Sequence, residues 1–252
     1  MTTKWTPILI VVAHPDDEVI GTAIQLSRWD SSRVNIIHVT DGSPLDLQDA
    51  TAAGFQSRED YFHQRRRELY SALDMVAIRP DQCTSFKYPD KQTMLHLPEI
   101  TSRLVAYIEQ LRPGVVYTHP YEGGHPDHDS TAFAVANAAS CPVCEFTSYH
   151  EGPNGLIVGE FLGGGEIKTV EPTPEELELK RNMYHCFKTQ QKVLADFPVG
   201  PEKFRPAPQY DFAKPPHPGT LHYEKFGWGI FGEQWRQKAA EAVQLLGPKA
   251  AL

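Results

Sequence analysis

The chain has 252 residues, of which 40% are hydrophobic and 22% charged, and its net charge is −8. These values are ordinary for one large α/β domain with a substantial core, and the acidic balance argues against a nucleic-acid-binding protein. No apolar run approaches the ~18 residues of a transmembrane helix, and the segment before the first acids lacks a signal-peptide cleavage site. We therefore expect a cytoplasmic protein that neither binds nucleic acid nor spans a membrane.

Strand and helix signals alternate along the first 145 residues. The pattern predicts strands at 8–13, 34–40 and 114–119 and helices at 18–29, 58–76, 97–111 and 129–140. The strands are short and mostly apolar, as expected of strands buried on both faces of a sheet. This alternation predicts an α/β fold with a Rossmann-like, mostly parallel sheet and helices on both faces. A loop is expected at 41–46, after the second strand.

The residues from about 146 to 252 have the pattern of an α+β extension. Strands are predicted at 146–151 and within 156–170, and a helix at 173–194 has Thr173 as its N-cap. Seven prolines between residues 198 and 220 predict a long ordered loop without regular structure. We expect the whole chain, 1–252, to form one domain, in which this C-terminal part shapes substrate binding beside a motif-bearing core of about 1–145.

Only one pair of the four cysteines has a suggestive spacing, Cys141 and Cys144 in "CPVC". A zinc ribbon would need a second such pair, and a thioredoxin-like motif would begin a helix after a strand. Neither context is present in the sequence. A structural role is therefore favoured, and a redox or metal-binding role is the alternative.

Two polar stretches, "VVAHPDDEVIG" (11–21) and "YTHPYEGGHPDHDS" (117–130), each follow a predicted parallel strand. Ligands of open α/β sheets bind at the carboxyl ends of the strands, so both stretches should share one crevice if their strands are close. Histidine and aspartate together form the ligand set of catalytic zinc. A cation would also neutralise the adjacent Asp16, Asp17 and Glu18. The alternative is that these acids only complement a helix dipole.

"AHPDDE" together with "GHPDH" resembles the PIG-L/LmbE family of metal-dependent N-acetylglucosaminyl deacetylases. Both motifs occur in the family's order, each after a strand, and this combination is highly specific. Weaker similarities, each of little value alone, lie in "VTDG" (39–42), "RRRELYSALDMV" (65–76), "KRNMYHCFKTQ" (180–190) and "YEKFGW" (223–228). The resemblance thus runs from residue 8 to about 228, and it implies the family's fold and amidohydrolase activity.

The resemblance also implies roles for individual residues. The implied metal ligands are His14, Asp17 and His128. Asp16 would be the general base. His125, as a protonated imidazole, would polarise the amide carbonyl and stabilise the oxyanion, and Asp127 would orient His125.

Two further residues would contact the substrate. Arg65 occupies the family's substrate-contact position, and a surface ion pair is its alternative role. Some sugar deacetylases carry a tyrosine shortly before "GHPDH", where this chain has Gly123 and Gly124. Tyr121 is the candidate substitute from further back in the sequence.

The resulting hypothesis is a hydrolase that removes an N-acetyl or other acyl group from an amino sugar or a similar small amine. Zn²⁺ would activate water and an aspartate would act as general base, with another divalent metal such as Fe²⁺ as the alternative. Three alternative functions are a deacylase of a non-sugar N-acyl amine, a non-catalytic metal-dependent binding module, and a two-metal phosphohydrolase. Asp16 argues against the binding module, because a non-catalytic protein would not need the general base. The strand predicted before His128 argues against the two-metal phosphohydrolases, because those proteins are helical throughout. The oligomeric state is open, and a homo-oligomer is one alternative.

Overall fold

The computed structural model describes residues 6–247. Its strands are β1 (Ile8–Val12), β2 (Val34–Pro44), β3 (Cys83–Asp90), β4 (Val115–Thr118), β5 (Val143–Phe146), β6 (Tyr149–Gly152), β7 (Gly155–Val158), β8 (Lys168–Val170) and β9 (Glu202–Pro206). Its α-helices are α1 (Asp17–Arg28), α2 (Gln48–Ala52), α3 (Arg58–Asp74), α4 (Leu97–Leu111), α5 (Pro126–Ala138), α6 (Pro174–Cys186), α7 (Gln191–Leu194) and α8 (Gly232–Leu246).

Seven of these strands form one sheet in the order β3-β2-β1-β4-β5-β9-β8. The first five strands of the chain are parallel, and β9 and β8 extend the same sheet in antiparallel pairing. β6 and β7 form a separate hairpin. The prediction of a mostly parallel α/β sheet is confirmed, and the C-terminal part contributes two strands to it.

The sheet is covered on both faces, which explains the apolar strands. Ile10 and Val12 of β1 belong to a cluster that includes side chains of α1, α3 and α6. Leu9 and Val11 point to the other face and join a cluster that includes side chains of α4 and α5. Burial of each such aliphatic side chain contributes roughly 1.5–3 kcal/mol, so the central strands lie in the most stable part of the fold.

Two predicted boundaries in the core were wrong. β2 continues to Pro44 through the predicted loop at 41–46, because its far end still pairs with β3. α5 begins at Pro126 and not at 129, because His125 caps the helix and a proline is favourable in the first turn. The histidines and aspartates of the second motif therefore lie at a helix N-terminus.

The C-terminal predictions need similar corrections. The predicted helix 173–194 has the expected cap at Thr173, but α6 ends at Cys186 and a short 3₁₀ turn separates it from α7. The proline-rich segment 198–220 was predicted to lack regular structure, yet it contains β9. This strand is possible because Pro201 precedes it and Pro206 is its last residue, so no proline interrupts the ladder.

β1 and β4 are neighbours in the sheet. β2 and β3 lie on one side of β1, and β4 and β5 lie on the other side, so the strand order reverses between β1 and β4. Such a switch in strand order opens a crevice at the carboxyl ends of the strands. Both sequence motifs follow β1 and β4 into this crevice. Among the helices of residues 6–247, none is long and apolar enough to cross a membrane.

Candidate active site and metal centre

The two motifs meet above β1 and β4. His14 follows β1 and lies just before α1, and His125 and His128 lie at the start of α5. The ring centroid of His14 is 4.6 Å from that of His125 and 5.3 Å from that of His128. The predicted shared crevice is therefore present, with two helix N-termini directed toward it.

His14, Asp17 and His128 form a buried group whose ligand atoms all lie within 4.8 Å of one another. Asp17 Oδ2 is 3.2 Å from His14 Nδ1, and Asp17 Oδ1 is 3.3 Å from His128 Nε2. Bonds of ~2.0–2.1 Å to a tetrahedral ion place ligand atoms ~3.3–3.4 Å apart, so this group fits a divalent cation. Ser148 Oγ lies 3.2 Å from His128 Nδ1, which leaves Nε2 directed toward Asp17.

The other nitrogen of His14 faces a second group. His14 Nε2 is 3.2 Å from Asp90 Oδ1 and 3.4 Å from Asp127 Oδ2. Together with His125, these residues form another cluster of potential ligands. Asp90, at the end of β3, was not predicted from the sequence, because no motif marks it.

The three adjacent acids of the first motif have separate partners. Asp16 Oδ2 accepts a hydrogen bond of 2.7 Å from Arg65, Asp17 faces the imidazoles, and Glu18 Oε1 is 3.2 Å from His38 Nε2. The expectation that one metal ion neutralises all three acids was therefore wrong. Of these three acids, Asp17 is the one placed to contact a cation together with His14.

The pKa directions in this crevice follow from burial and opposite charges. Burial opposes the charged form of His14, but Asp90 and Asp17 raise its pKa well above its usual range. Burial raises the pKa of Asp17, but the histidines, His128 first, hold it well below its usual value. Burial raises the pKa of Asp16, although the Arg65 guanidinium opposes this. The buried carboxylates near His14 thus favour a positive charge in their midst.

His125 is fixed by the backbone. Its Nδ1 accepts a 3.1 Å hydrogen bond from the backbone N–H of Asp127, so the ring proton lies on Nε2. Burial and the neighbouring His14 hold the pKa of His125 well below its usual range. This geometry favours a neutral imidazole that donates from Nε2, and not the protonated ring that we expected.

Asp127 does not orient His125 through its carboxylate. The carboxylate is 3.9 Å from His125 Nδ1. It instead accepts hydrogen bonds from the backbone N–H of Lys91 and from Thr93 Oγ1, at 2.6 and 2.5 Å. Any orienting effect on His125 therefore comes from the Asp127 backbone, and the Asp127 side chain faces His14.

Arg65 and Tyr121 have protein partners. Arg65 is 4% exposed and donates to the Gly42 carbonyl as well as to Asp16, so it is not a surface ion pair. The Tyr121 hydroxyl donates to the Lys214 carbonyl, and its ring stacks on Trp235. A direct substrate contact remains a prediction for both residues. Each side chain would have to give up one of these hydrogen bonds to contact a substrate.

Two aromatic residues near the crevice were missed from the sequence. The ring centroid of Tyr149 is 5.4 Å from that of His128, and the ring of Trp228 is 5.2 Å from His125. A side chain at position 124 would overlap the carbonyl oxygen of Tyr149, so glycine there makes room for this residue. Tyr149 lies in no recognised motif, and Trp228 ends the weak "YEKFGW" similarity, which implied no role for it. In "CPVC", Cys144 lies within β5 and its thiol contacts the Glu145 carbonyl.

A buried His–Asp group at the switch point of a mostly parallel sheet defines an α/β protein with a site suited to a divalent cation. The family of PIG-L, described as GlcNAc-PI de-N-acetylase, matches residues 9–139, more than half of the chain. The chain belongs to this family, and the predicted resemblance is confirmed.

Individual relatives agree with this assignment. A probable N-acetyl-α-D-glucosaminyl L-malate deacetylase 2 of Bacillus anthracis is 31% identical over 137 residues, covering 52% of this chain and 58% of the relative. A 1D-myo-inositol 2-acetamido-2-deoxy-α-D-glucopyranoside deacetylase of Rhodococcus erythropolis is 30% identical over 160 residues, covering 55% and 54%. The chain thus spans little more than half the length of these relatives.

Solved structures share the fold over a larger part of the chain. The zinc-inhibited form of teicoplanin deacetylase Orf2 superposes with a TM-score of 0.62 over 82% of this chain and 99% of its own. Its sequence identity is 18%, so this likeness supports the fold.

Proposed function

We propose that the protein is a divalent-metal-dependent deacetylase that removes the acetyl group from a small N-acetylglucosamine-containing molecule. The observation that carries the proposal is the buried group of His14, Asp17 and His128 beside Asp16. That group lies within the segment that matches a de-N-acetylase family. The names of the relatives support a glucosaminide substrate.

His14, Asp17 and His128 would hold the cation, which when bound supplies Lewis-acid activation of water and of the amide carbonyl. Asp16 would take the proton from the attacking water and return it to the leaving amine. Its ion pair with Arg65 helps to keep the carboxylate charged in spite of burial. His125 would donate a hydrogen bond from its Nε2–H to the carbonyl oxygen as negative charge develops there, and it would keep this proton.

Zn²⁺ is the metal we favour, because two imidazoles and one carboxylate form a catalytic zinc ligand set. The structurally similar teicoplanin deacetylase Orf2 has a zinc-inhibited form, so the choice of metal rests on the ligand set of this chain and not on that protein. Fe²⁺ is the alternative. A cytoplasmic location is also part of the proposal.

The test is acetate release from N-acetylglucosaminides that differ in their aglycone, such as L-malate and myo-inositol. Chelator-treated protein is reloaded with one equivalent of Zn²⁺ or Fe²⁺, and non-sugar N-acetyl amines serve as comparison substrates. We expect release from a glucosaminide that depends on the added metal and is absent in Asp17→Asn. Metal-loaded protein that releases no acetate from any of these compounds would favour the binding-module alternative. Faster acetate release from the non-sugar amines would favour the alternative function, a deacylase of non-sugar N-acyl amines.

A further inference from the structure

Asp90 is a buried carboxylate that has no role in the proposed reaction. It is the last residue of β3 and is 7% exposed. Its Oδ1 lies 3.2 Å from His14 Nε2 and 3.7 Å from His125 Nε2. A buried charge is costly unless a charged or hydrogen-bonding partner meets it, so these ring contacts need an explanation.

The neighbouring Asp127 is much better supplied with hydrogen bonds. Its two oxygens accept from the backbone N–H groups of Lys91 and Thr93 and from Thr93 Oγ1. Its distance to His14 Nε2 is also longer, 3.4 Å against 3.2 Å for Asp90. Asp90 therefore depends more than Asp127 on a hydrogen bond from a proton on His14 Nε2.

The backbone next to Asp90 supports a functional placement. Lys91 has φ +68°, a left-handed conformation that is unfavourable for a residue with a side chain. It donates its backbone N–H to Asp127 Oδ2. This turn thus joins the two carboxylates and holds both against the same edge of His14.

We infer that Asp90 is a positioning residue, which accepts the Nε2 proton of His14 and thereby keeps Nδ1 free to bind the cation. A metal-bound histidine commonly donates its other ring N–H to a carboxylate, which fixes the tautomer and raises the basicity of the ligand. The inference rests on the metal site of the proposed function. It adds a residue from a strand that carries no motif.

The same side chains could instead hold a second cation, since His14, Asp90, His125 and Asp127 also have ligand atoms within 4.8 Å. That arrangement would need His14 to lose both ring protons and bridge two ions. It would also compete with the hydrogen bonds that Asp127 already accepts. The hydrogen-bonding role of Asp90 is therefore favoured, and metal stoichiometry separates the two.

The experiment compares Asp90→Asn with wild type and with Asp41→Asn. Asp41 is a matched control, because it is a buried carboxylate near the end of the adjacent strand β2 and its partners are Ser43 and Arg58. Zn²⁺ affinity and stoichiometry are measured by competition with a chelator. We expect Asp90→Asn to bind one Zn²⁺ with a Kd raised about 10–100-fold, the usual effect of losing such a partner. The Kd of Asp41→Asn should stay within about twofold of wild type, because Asp41 contacts no ligand ring.

A second measurement uses histidine labelled with ¹⁵N in the ring. In Zn²⁺-loaded wild type, His14 should have a proton on Nε2 that exchanges slowly, and this proton should exchange faster in Asp90→Asn. If His14 carried no Nε2 proton, or if both variants matched wild type in Kd, the inference would be overturned alone. Two ions in wild type and one in Asp90→Asn would make Asp90 a ligand and also overturn it. Wild type that binds no Zn²⁺ would overturn the proposed function together with it.

Discussion

Replacement of Arg65 by alanine should affect catalysis through Asp16. Arg65 Nη2 is 2.7 Å from Asp16 Oδ2, and the side chains are 5% and 7% exposed. Removing one partner of a buried ion pair leaves an uncompensated charge and costs about 3–5 kcal/mol. At ~2–4 °C per kcal/mol, the melting temperature should fall by roughly 6–20 °C.

The pH profile gives the more specific test. Burial already raises the pKa of Asp16, and Arg65 opposes that rise. Without the guanidinium the pKa should rise further, so Asp16 stays protonated to a higher pH and cannot act as base. We expect the acid limb of the kcat–pH profile to move to higher pH in Arg65→Ala and to return toward wild type in Arg65→Lys.

The assay is steady-state acetate release across pH, with thermal melting of the same samples. Arg66→Ala is the matched control, because Arg66 is the next residue on α3 and bonds to the Tyr70 hydroxyl. It should leave the acid limb in place. A KM raised more than tenfold in Arg65→Ala, with an unmoved acid limb, would refute this reasoning and favour a direct substrate contact.

Three further predictions concern other residues. His125→Ala should keep its metal but lose about 10²–10³ in kcat, the usual effect of one oxyanion donor, and metal loss in this variant would make His125 a ligand. Gly124→Ala should cost about 1–3 kcal/mol in urea unfolding, because its Cβ would overlap the Tyr149 carbonyl, and an unchanged midpoint would contradict this packing. Burial raises the pKa of Glu122 from 4.5 to about 8. This carboxyl thus stabilises the fold fully below pH ~4.5, and its contribution declines by up to ~1.4 kcal/mol per pH unit until about pH 8. Glu122→Gln should flatten that slope between pH 5 and 8, and an equal slope would assign the proton to another group.

The central strands and the two motifs were predictable because their signals are local. β1 is an unbroken apolar run, and the two histidine motifs come after β1 and β4, the strands that place them. Thr173 caps its helix as predicted, because a capping box depends only on residues three apart. For the same reason the family resemblance could be recognised from two short segments.

The missed elements depend on long-range contacts. β3 lies at the edge of the sheet, contains the left-handed Lys87 and has no apolar run, so its pattern resembles a loop. Asp90 at its end was missed with it. The pairing of Asp16 with Arg65 joins residues 49 apart, which no spacing rule indicates. β9 forms in spite of the neighbouring prolines because it pairs with β5 on one side and with β8 on the other.

The most direct test of the account compares Asp16→Asn with Asp17→Asn. The two carboxylates are adjacent in sequence, yet one pairs with Arg65 and the other faces His14 and His128. Zinc content and kcat are measured on both variants side by side. We predict that Asp17→Asn loses most of its zinc, whereas Asp16→Asn keeps its zinc and loses about 10²–10⁴ in kcat. Zinc lost from Asp16→Asn but kept by Asp17→Asn, or normal turnover by Asp16→Asn, would contradict the account.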